Sequence, residues 1–341
     1  MDSKYLKIFD CDLNWTYFDQ PFVHTPPSMA HDFAFTDPVE YFNWHRNFGN
    51  NCMFLQAYTF CGYAFYPTKL GPIAPGPGQD FLPKMYDLSL KHNFPFCSYF
   101  CVGADLTTSN MRDQWVIPTS RDNPYTRYGF LAPESPWTDL LCARIDEFLT
   151  QFPVDYLLFD WFDYGNLDPY FPVQPAWFVK KPFKEIIGRK MPEKAADISA
   201  AESLQYKREV LARQFNRIRD TVRAASPKTQ IGFNIPYFHA AEPLWVDHPM
   251  LNESDFLIAE STREEIIDWL ASVRKPGQRF MTTIIGRPEK GETDPNHWRK
   301  LIEKGCDMFF GYGWGTPPNF VPHAHYAEEL AIVQDAFRKM G

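Results

Sequence analysis

The segment Val154-Asp155-Tyr156-Leu157-Leu158-Phe159-Asp160-Trp161-Phe162 decides the fold. It is apolar on most successive residues, a pattern typical of a strand that is covered on both faces, as strands are in a parallel sheet. Seven more runs of this character follow loops or amphipathic segments: Leu6–Leu13, Cys52–Tyr58, Phe94–Val102, Gln230–Ile235, Asp255–Ala259, Arg279–Ile285 and Cys306–Tyr312. The alternation predicts eight strand–helix units.

Helix start signals lie between these runs. Asp37-Pro38-Val39-Glu40 combines an N-cap side chain, a proline at the first helical position and a glutamate at the third. Ser135-Pro136 and Asp294-Pro295 repeat the cap-and-proline pattern, and Ala200–Ala225 is the longest predicted helix. Eight strand–helix units with right-handed crossovers close most economically into a (β/α)8 TIM barrel.

The alternative α/β architecture is an open, doubly wound sheet. Such a sheet usually carries a glycine-rich dinucleotide turn after an early strand, and the sequence contains no G-x-G-x-x-G. No linker or shift in composition separates two halves of the chain. We therefore predict an α/β fold, a single (β/α)8 domain over residues 1–341, with long βα loops at 14–36, 105–133 and 163–199.

Composition narrows the partners and the compartment. The chain has 34 basic and 42 acidic side chains and a net charge of −8, whereas nucleic acid and anionic membranes both need a basic surface. No apolar run approaches the roughly 20 residues that cross a bilayer. The N-terminus lacks the regions of a signal peptide, and the seven cysteines form no C-x-x-C pair. We expect a cytoplasmic protein that binds neither nucleic acid nor membrane.

Two carboxylates are the leading candidates for chemistry. The active site of a TIM barrel is built from the carboxyl ends of the strands, and Asp160 and Glu260 end the fourth and sixth runs. A carboxylate at the end of a buried strand is costly unless it is paired or used. Two carboxylates at the same end of the barrel match the pair that glycoside hydrolysis requires. The alternative is a structural role, such as helix capping or, for Glu260, an ion pair with Arg263.

Further candidates at the same strand ends would bind substrate. Asp10 and Asp12 flank Cys11, and we expect only one of the two, taken as Asp12, to face the barrel. The Asn234 amide would form a hydrogen bond either to a sugar hydroxyl or within its loop. The Asp163 carboxylate has the same two alternatives. The predicted substrate-binding residues are Asp12, Trp15, Tyr58, Tyr66, Lys69, Tyr99, Trp161, Asp163, Asn234 and Trp314.

Aromatic residues support a carbohydrate partner. They make up 17% of the chain, and six of the ten tryptophans fall at strand ends or in βα connections: Trp15, Trp115, Trp161, Trp177, Trp245 and Trp314. Aromatic faces offer apolar area to the C–H faces of sugar rings at little entropic cost. The alternative for any single tryptophan is packing inside a loop.

Other motifs carry little signal. There is no nucleophile elbow G-x-S-x-G, no Walker A loop and no calcium loop, and His323-Ala324-His325 lies after the last strand, where a metal pair is not expected. We predict neither metal nor cofactor. Two alternatives stay open: a metal-dependent barrel isomerase or hydrolase, and a sugar-binding barrel without catalysis.

The segment from Cys61 to Lys69, CGYAFYPTK, resembles the second βα unit of α-L-fucosidase-like glycoside hydrolases, as does the following run through Asp80 and Tyr99. The fourth run resembles the segment that carries the family's aspartate nucleophile. The resemblance covers roughly residues 40 to 165 and implies a retaining mechanism with Asp160 as nucleophile. Where fucosidases carry His-His, this chain has Thr59-Phe60, so the resemblance leaves the sugar open.

Overall fold

Eight parallel strands form a nearly closed barrel. The computed structural model describes residues 4–14, 36–74, 80–118, 129–164, 172–235, 243–284, 294–314 and 326–341. The strands are β1 Leu6–Asp12, β2 Met53–Tyr58, β3 Phe96–Cys101, β4 Tyr156–Asp160, β5 Gln230–Ile235, β6 Phe256–Ala259, β7 Arg279–Thr283 and β8 Met308–Trp314. Each pairs with its neighbour in sequence from β2 to β8, and β8 pairs with β1. The predicted TIM barrel is confirmed, and every strand overlaps a predicted run.

Side chains bridge the seam between β1 and β2. The Asn51 side chain accepts a hydrogen bond from the Lys7 N–H (2.7 Å) and donates to the Tyr5 carbonyl (2.7 Å). At the other end of the seam, Gln56 accepts from the Leu13 N–H (2.8 Å) and Asn14 accepts from the Phe60 N–H (2.7 Å). These bonds satisfy backbone groups that a sheet edge would otherwise leave open.

Helices alternate with the strands around the outside. They are α1 Pro38–Phe48, α2 Phe81–Lys91, α3 Leu106–Met111, α4 Trp137–Gln151, α5 Lys180–Ile187, α6 Ala200–Ala225, α7 Pro249–Glu253, α8 Glu264–Val273, α9 His297–Glu303 and α10 Tyr326–Lys339. Asp37 caps α1 as predicted, accepting from the N–H groups of Val39 and Glu40. Ser199 and Glu202 form a capping box that begins α6. Asp80 makes no side-chain cap at the start of α2.

The core has two layers, one inside the barrel and one between sheet and helices. Alternate residues of each strand face the interior, where Phe54, Leu158, Phe256 and Met281 pack together. The intervening residues pack against the helices. Gly232 is required inside, because a Cβ there would lie 2.1 Å from the Phe256 ring.

A buried ion pair ties the loops after β2 and β3 to α4. Arg144 donates to Asp105 at 2.6 Å, and both side chains are almost fully buried. The guanidinium also donates to the Leu70 carbonyl (3.1 Å) and stacks on the Tyr58 ring, 4.4 Å from its centroid. Asp105 in turn caps α3 by accepting from the Thr108 N–H.

We predict that Arg144→Met destabilises the protein by about 3–5 kcal/mol, because the substitution leaves the Asp105 charge buried without its partner. The free energy of unfolding in denaturant measures the loss. Arg217→Met is the matched control: its partner Asp139 is exposed, so the expected loss is below about 1 kcal/mol. Equal losses in the two variants would contradict the role given to the buried pair.

All seven cysteines are buried, and none forms a disulfide bond. Burial raises the pKa of the Cys11 and Cys97 thiols well above the ordinary value, so these thiols pack as small apolar groups. Among the described residues, no helix is both long and apolar enough to cross a membrane.

Candidate active site

Five polar side chains converge at the carboxyl end of the barrel. Alternation along each strand turns Asp10 and Asp12 of β1, Tyr99 of β3, Asp160 of β4 and Asn234 of β5 toward the interior. Glu260 follows β6 directly and joins them through a hydrogen bond from the Asn234 amide. The structure therefore brings together both predicted catalytic carboxylates and three of the predicted substrate-binding residues.

The Asn234 amide links the two carboxylates. Its Nδ2 donates to Asp160 Oδ1 at 2.9 Å and to Glu260 Oε2 at 3.0 Å. Because each oxygen is about 3 Å from the same nitrogen, the two are at most about 6 Å apart. The Asn234 side chain is buried, and its Oδ1 has no hydrogen-bond partner among the described residues. The amide thus fixes the carboxylates and leaves one acceptor in the site.

Asp160 is held at both oxygens. Besides the Asn234 bond, Oδ1 accepts from the Trp161 N–H (2.7 Å), and Oδ2 accepts from the Tyr99 hydroxyl (2.9 Å). Burial raises the pKa of the Asp160 carboxyl above its ordinary value, and the three hydrogen bonds act in the opposite direction. Glu260, by contrast, is exposed. The two carboxylates therefore differ in environment, as two groups with different roles in one reaction must.

The backbone bends sharply after Asp160. Trp161 has a φ of 56°, in the left-handed region that residues other than glycine rarely adopt. Its ring contacts Phe60 and Phe130, with centroid distances of 5.1 and 5.9 Å. Gly103 leaves room for this bend, because a Cβ there would lie 2.3 Å from the Trp161 carbonyl oxygen. The ring is half-buried beside the carboxylates.

The Asp10 and Asp12 side chains both face the barrel interior. The expectation that only one of them does so was wrong. Residues two apart on a strand share a face. Gln56 Nε2 lies 3.0 Å from Asp12 Oδ1 and 3.5 Å from Asp10 Oδ2. Burial, and then the charges of Asp12, Glu260 and Asp160, raise the pKa of Asp10 well above its ordinary value.

We predict that Asp10→Asn stabilises the protein at neutral pH. When the pKa of a carboxyl is higher in the folded than in the unfolded state, the free energy of unfolding falls as pH rises above the unfolded value of 3.8. The asparagine side chain does not ionise, so the variant avoids this loss. The Tm should rise by about 2 °C or more at pH 7, and the gain should disappear below about pH 4. Asp87→Asn on the exposed face of α2 is the control. A Tm gain that is the same at pH 3.5 and pH 7 would refute this explanation.

Three predicted residues lie elsewhere. Tyr58 and Tyr66 are buried behind the barrel wall, where Tyr66 packs on Phe148 of α4 and Tyr58 on Phe100. Lys69 is exposed beside α4, its N–H donating to Glu147. The prediction that these residues bind substrate is corrected: the register of β2 shifts between Gln56 and Tyr58, and the two tyrosine rings pack on Phe100 and Phe148.

The remaining predicted residues divide into three groups. Asp163 is buried and accepts from the Tyr164 N–H at 2.6 Å, a bond that holds the loop after β4. Trp245 is fully buried, whereas Trp177 is 56% exposed. Trp15 and His323-Ala324-His325 lie outside the described residues, and only the backbone of Trp314 is described. In the described part of the chain, no three His, Cys, Asp or Glu side chains are grouped as metal ligands.

Sequence reasoning missed Gln56. It is fully buried, and its amide joins the seam bond to Leu13 with the bonds to Asp10 and Asp12. A signal was present, since Gln56 is the one amide in the apolar run Met53–Tyr58 and a buried amide needs partners.

No protein-family model and no curated protein matches the chain. Its structure is similar to that of α-L-fucosidase isoenzyme 2 from Paenibacillus thiaminolyticus, with a TM-score of 0.68 and 15% identity over 98% of this chain and 49% of the other. The present chain thus spans about half the length of that enzyme.

Two structures of α-L-fucosidase AlfC from Lactobacillus casei are also similar. The unliganded form has a TM-score of 0.53 and the complex with α-L-fucose product 0.52, each at 13% identity over 99% of this chain and 96% of the other. At these identities the likeness is one of fold. It confirms the predicted fucosidase-like barrel.

Proposed function

We propose that the protein is a glycoside hydrolase that uses Asp160 and Glu260 in a retaining, double-displacement reaction. The observation that carries the proposal is the Asn234 Nδ2 atom, which donates to both carboxylates. Residues 74 and 26 positions away along the chain are thereby held at one point of the barrel's carboxyl end. The similarity in fold to α-L-fucosidases supports the same reaction class.

The separation of the carboxylates favours retention. Because Asn234 Nδ2 lies 2.9 Å from one carboxylate oxygen and 3.0 Å from the other, these two oxygens are at most about 6 Å apart. Retaining glycosidases place their carboxyl groups about 5–5.5 Å apart, whereas inverting enzymes need about 6.5–9.5 Å to admit a water.

The three hydrogen-bond donors to Asp160, which favour its ionised form, and the exposure of Glu260 support the following division of roles. Asp160, buried and held by three donors, attacks the anomeric carbon while the bond to the leaving oxygen breaks. Glu260, on the open side, gives its proton to that oxygen. Glu260 then takes a proton from water, the water oxygen attacks the anomeric carbon, and the bond to Asp160 breaks. We propose Asn234 Oδ1, which has no hydrogen-bond partner among the described residues, as the acceptor for a sugar hydroxyl.

We further propose that residues 1–341 act as one catalytic domain in the cytoplasm. The eight-stranded sheet draws strands from near the start of the chain, β1, to near its end, β8. Seven buried cysteines without a disulfide bond fit a reducing compartment.

A panel of 4-nitrophenyl glycosides, including the α-L-fucoside, tests the proposed function. We expect release of nitrophenol from at least one member by the wild-type protein. The positions 59 and 60 hold a buried threonine and a buried phenylalanine, so the sugar is chosen by contacts other than an imidazole pair there. Folded protein that leaves every member intact would overturn the proposal.

We predict that Tyr99→Phe moves the acidic limb of the kcat/KM profile to higher pH by about one unit. The Tyr99 hydroxyl stabilises ionised Asp160, and a hydrogen bond to a charged group contributes about 1.5–3 kcal/mol. Without it, Asp160 is protonated, and inactive as a nucleophile, at a higher pH. Tyr58→Phe is the control, since its hydroxyl donates to Thr68 behind the barrel wall. An acidic limb that does not move in Tyr99→Phe would argue against Asp160 as the nucleophile.

A further inference from the structure

A group of apolar side chains in the loops after β3 and β4 has no part in the chemistry above. Trp177 is 56% exposed, and Trp115, next to the Trp177 hydrogen-bond partner Gln114, is half-buried. We call these two residues the outer aromatic surface. Large apolar side chains this exposed are unfavourable in water by about 25 cal/mol per Å², so their retention in one place calls for a function.

Trp177 is exposed and yet fixed. Its indole N–H donates to the Gln114 carbonyl at 3.1 Å, across from the loop after β4 to the loop after β3. Its ring also meets the Phe178 ring edge to face, at 5.6 Å between centroids. A ring held in this way loses little entropy when a ligand covers it, a property of binding surfaces.

Ring contacts and backbone hydrogen bonds connect the segment that bears Trp115 to the residue after Asp160. The Trp161 ring, next to Asp160, contacts the Phe130 ring at 5.9 Å. The Phe130 carbonyl accepts from the Ile117 N–H, and the Trp115 carbonyl accepts from the Ala132 N–H, each at 2.8 Å. One short antiparallel pairing therefore places the segment that bears Trp115 beside the segment that touches Trp161.

The surroundings of the rings identify the class of ligand. Arg112, Asp113 and Gln114 are all exposed next to Trp115, and the Arg112 guanidinium lies 5.8 Å from its ring centroid. A protein partner would need a broader apolar patch than two rings provide. A sugar presents an apolar C–H face to a ring and hydroxyl groups to the polar side chains around it, so it fits both features.

We propose that the outer aromatic surface binds the sugar units on the leaving-group side of the scissile bond. The proposal rests on the proposed function. The barrel below Asp160 is filled by apolar side chains such as Leu158 and Phe256, so a ring held at the carboxylates leaves the rest of the substrate to extend outward over the loops. Trp177 and Trp115 then stack on sugars beyond the cleaved bond and determine preference for longer substrates.

The test compares a short and a long substrate ending in the same sugar, the one identified by the aryl-glycoside panel. We expect Trp177→Ala to lower kcat/KM for a tetrasaccharide about tenfold. For the 4-nitrophenyl glycoside, kcat/KM should stay within about twofold of the wild-type value. Trp177→Phe should recover most of the loss. Leu90→Ala, which removes a side chain of similar exposure from α2, should change kcat/KM for neither substrate.

Two results would overturn the proposal: an equal effect of Trp177→Ala on both substrates, or none on the tetrasaccharide. If wild type cleaves no member of the panel, the proposed function fails, and affinity electrophoresis in gels containing xyloglucan, galactomannan or mucin tests the surface separately. Retardation of wild type that Trp177→Ala abolishes would support the surface alone. Equal migration of the two in every gel would overturn it.

Discussion

Asp160→Ala should lower kcat on the best aryl glycoside by about a thousandfold or more while leaving the protein folded. The substitution removes the atom that forms the covalent intermediate, and the loss of a nucleophile is among the largest single effects in enzyme catalysis. Folding should survive because the pKa of buried Asp160 is raised, so its ionisation at neutral pH opposes folding, and the alanine variant avoids that cost. Initial rates and thermal unfolding measure the two parts of this prediction.

Two variants separate the nucleophile from a merely polar group. Asp160→Asn keeps the size and most hydrogen-bonding capacity of the side chain but cannot attack, so it should be as inactive as Asp160→Ala. Added azide should restore turnover of the alanine variant, since it fills the space of the missing carboxylate and attacks the same face of the sugar. Full activity in either variant would remove Asp160 from the mechanism.

Glu260→Ala should lose activity according to the leaving group. A substrate whose leaving oxygen departs without a proton, such as a 2,4-dinitrophenyl glycoside, should keep its rate of glycosylation. A substrate with a poorly departing alcohol should lose about 10²–10⁴-fold, the usual contribution of general acid catalysis. Glu260 is exposed and accepts from the Asn234 amide at 3.0 Å, as a group that exchanges a proton with a leaving oxygen and with water would need to be.

Pre-steady-state measurements on the two substrates provide the comparison. Glu265→Ala, which removes an exposed carboxylate from the first turn of α8, is the matched control and should be neutral. Equal losses on the good and poor leaving groups would show that Glu260 acts on structure rather than on proton transfer.

The barrel was predictable because each strand is a local signal. Runs buried on both faces mark the strands whatever their partners, and β5 has the predicted bounds Gln230–Ile235. The longest helix likewise begins and ends as predicted, since the Ser199 and Glu202 capping box is encoded within four residues. Asp160 and Glu260 were predicted by the same local rule, a charge at the end of an apolar strand, and both accept from the Asn234 amide.

The rest of the site depends on contacts between distant segments. Tyr58 ends β2, and Tyr66 and Lys69 follow it. The register shift and the contacts with α4, almost 80 residues later, direct this segment toward the helix. The Asn234 amide was predicted as a ligand for a hydroxyl or a loop, and its two carboxylate partners come from other strands. The position of a residue along a strand predicts whether it lies near the carboxyl end of the barrel. Whether its side chain then faces the interior or the helices depends on packing between distant segments.

Trapping of the covalent intermediate tests the central claim most directly. The protein is treated with the 2-deoxy-2-fluoro glycosyl fluoride of the sugar that the aryl-glycoside panel identifies, digested and mapped by mass spectrometry. We predict a single added fluorosugar on the peptide that contains Asp160, attached to that side chain. Active enzyme that carries the label on another residue, or carries none, would contradict the double-displacement mechanism proposed for this site.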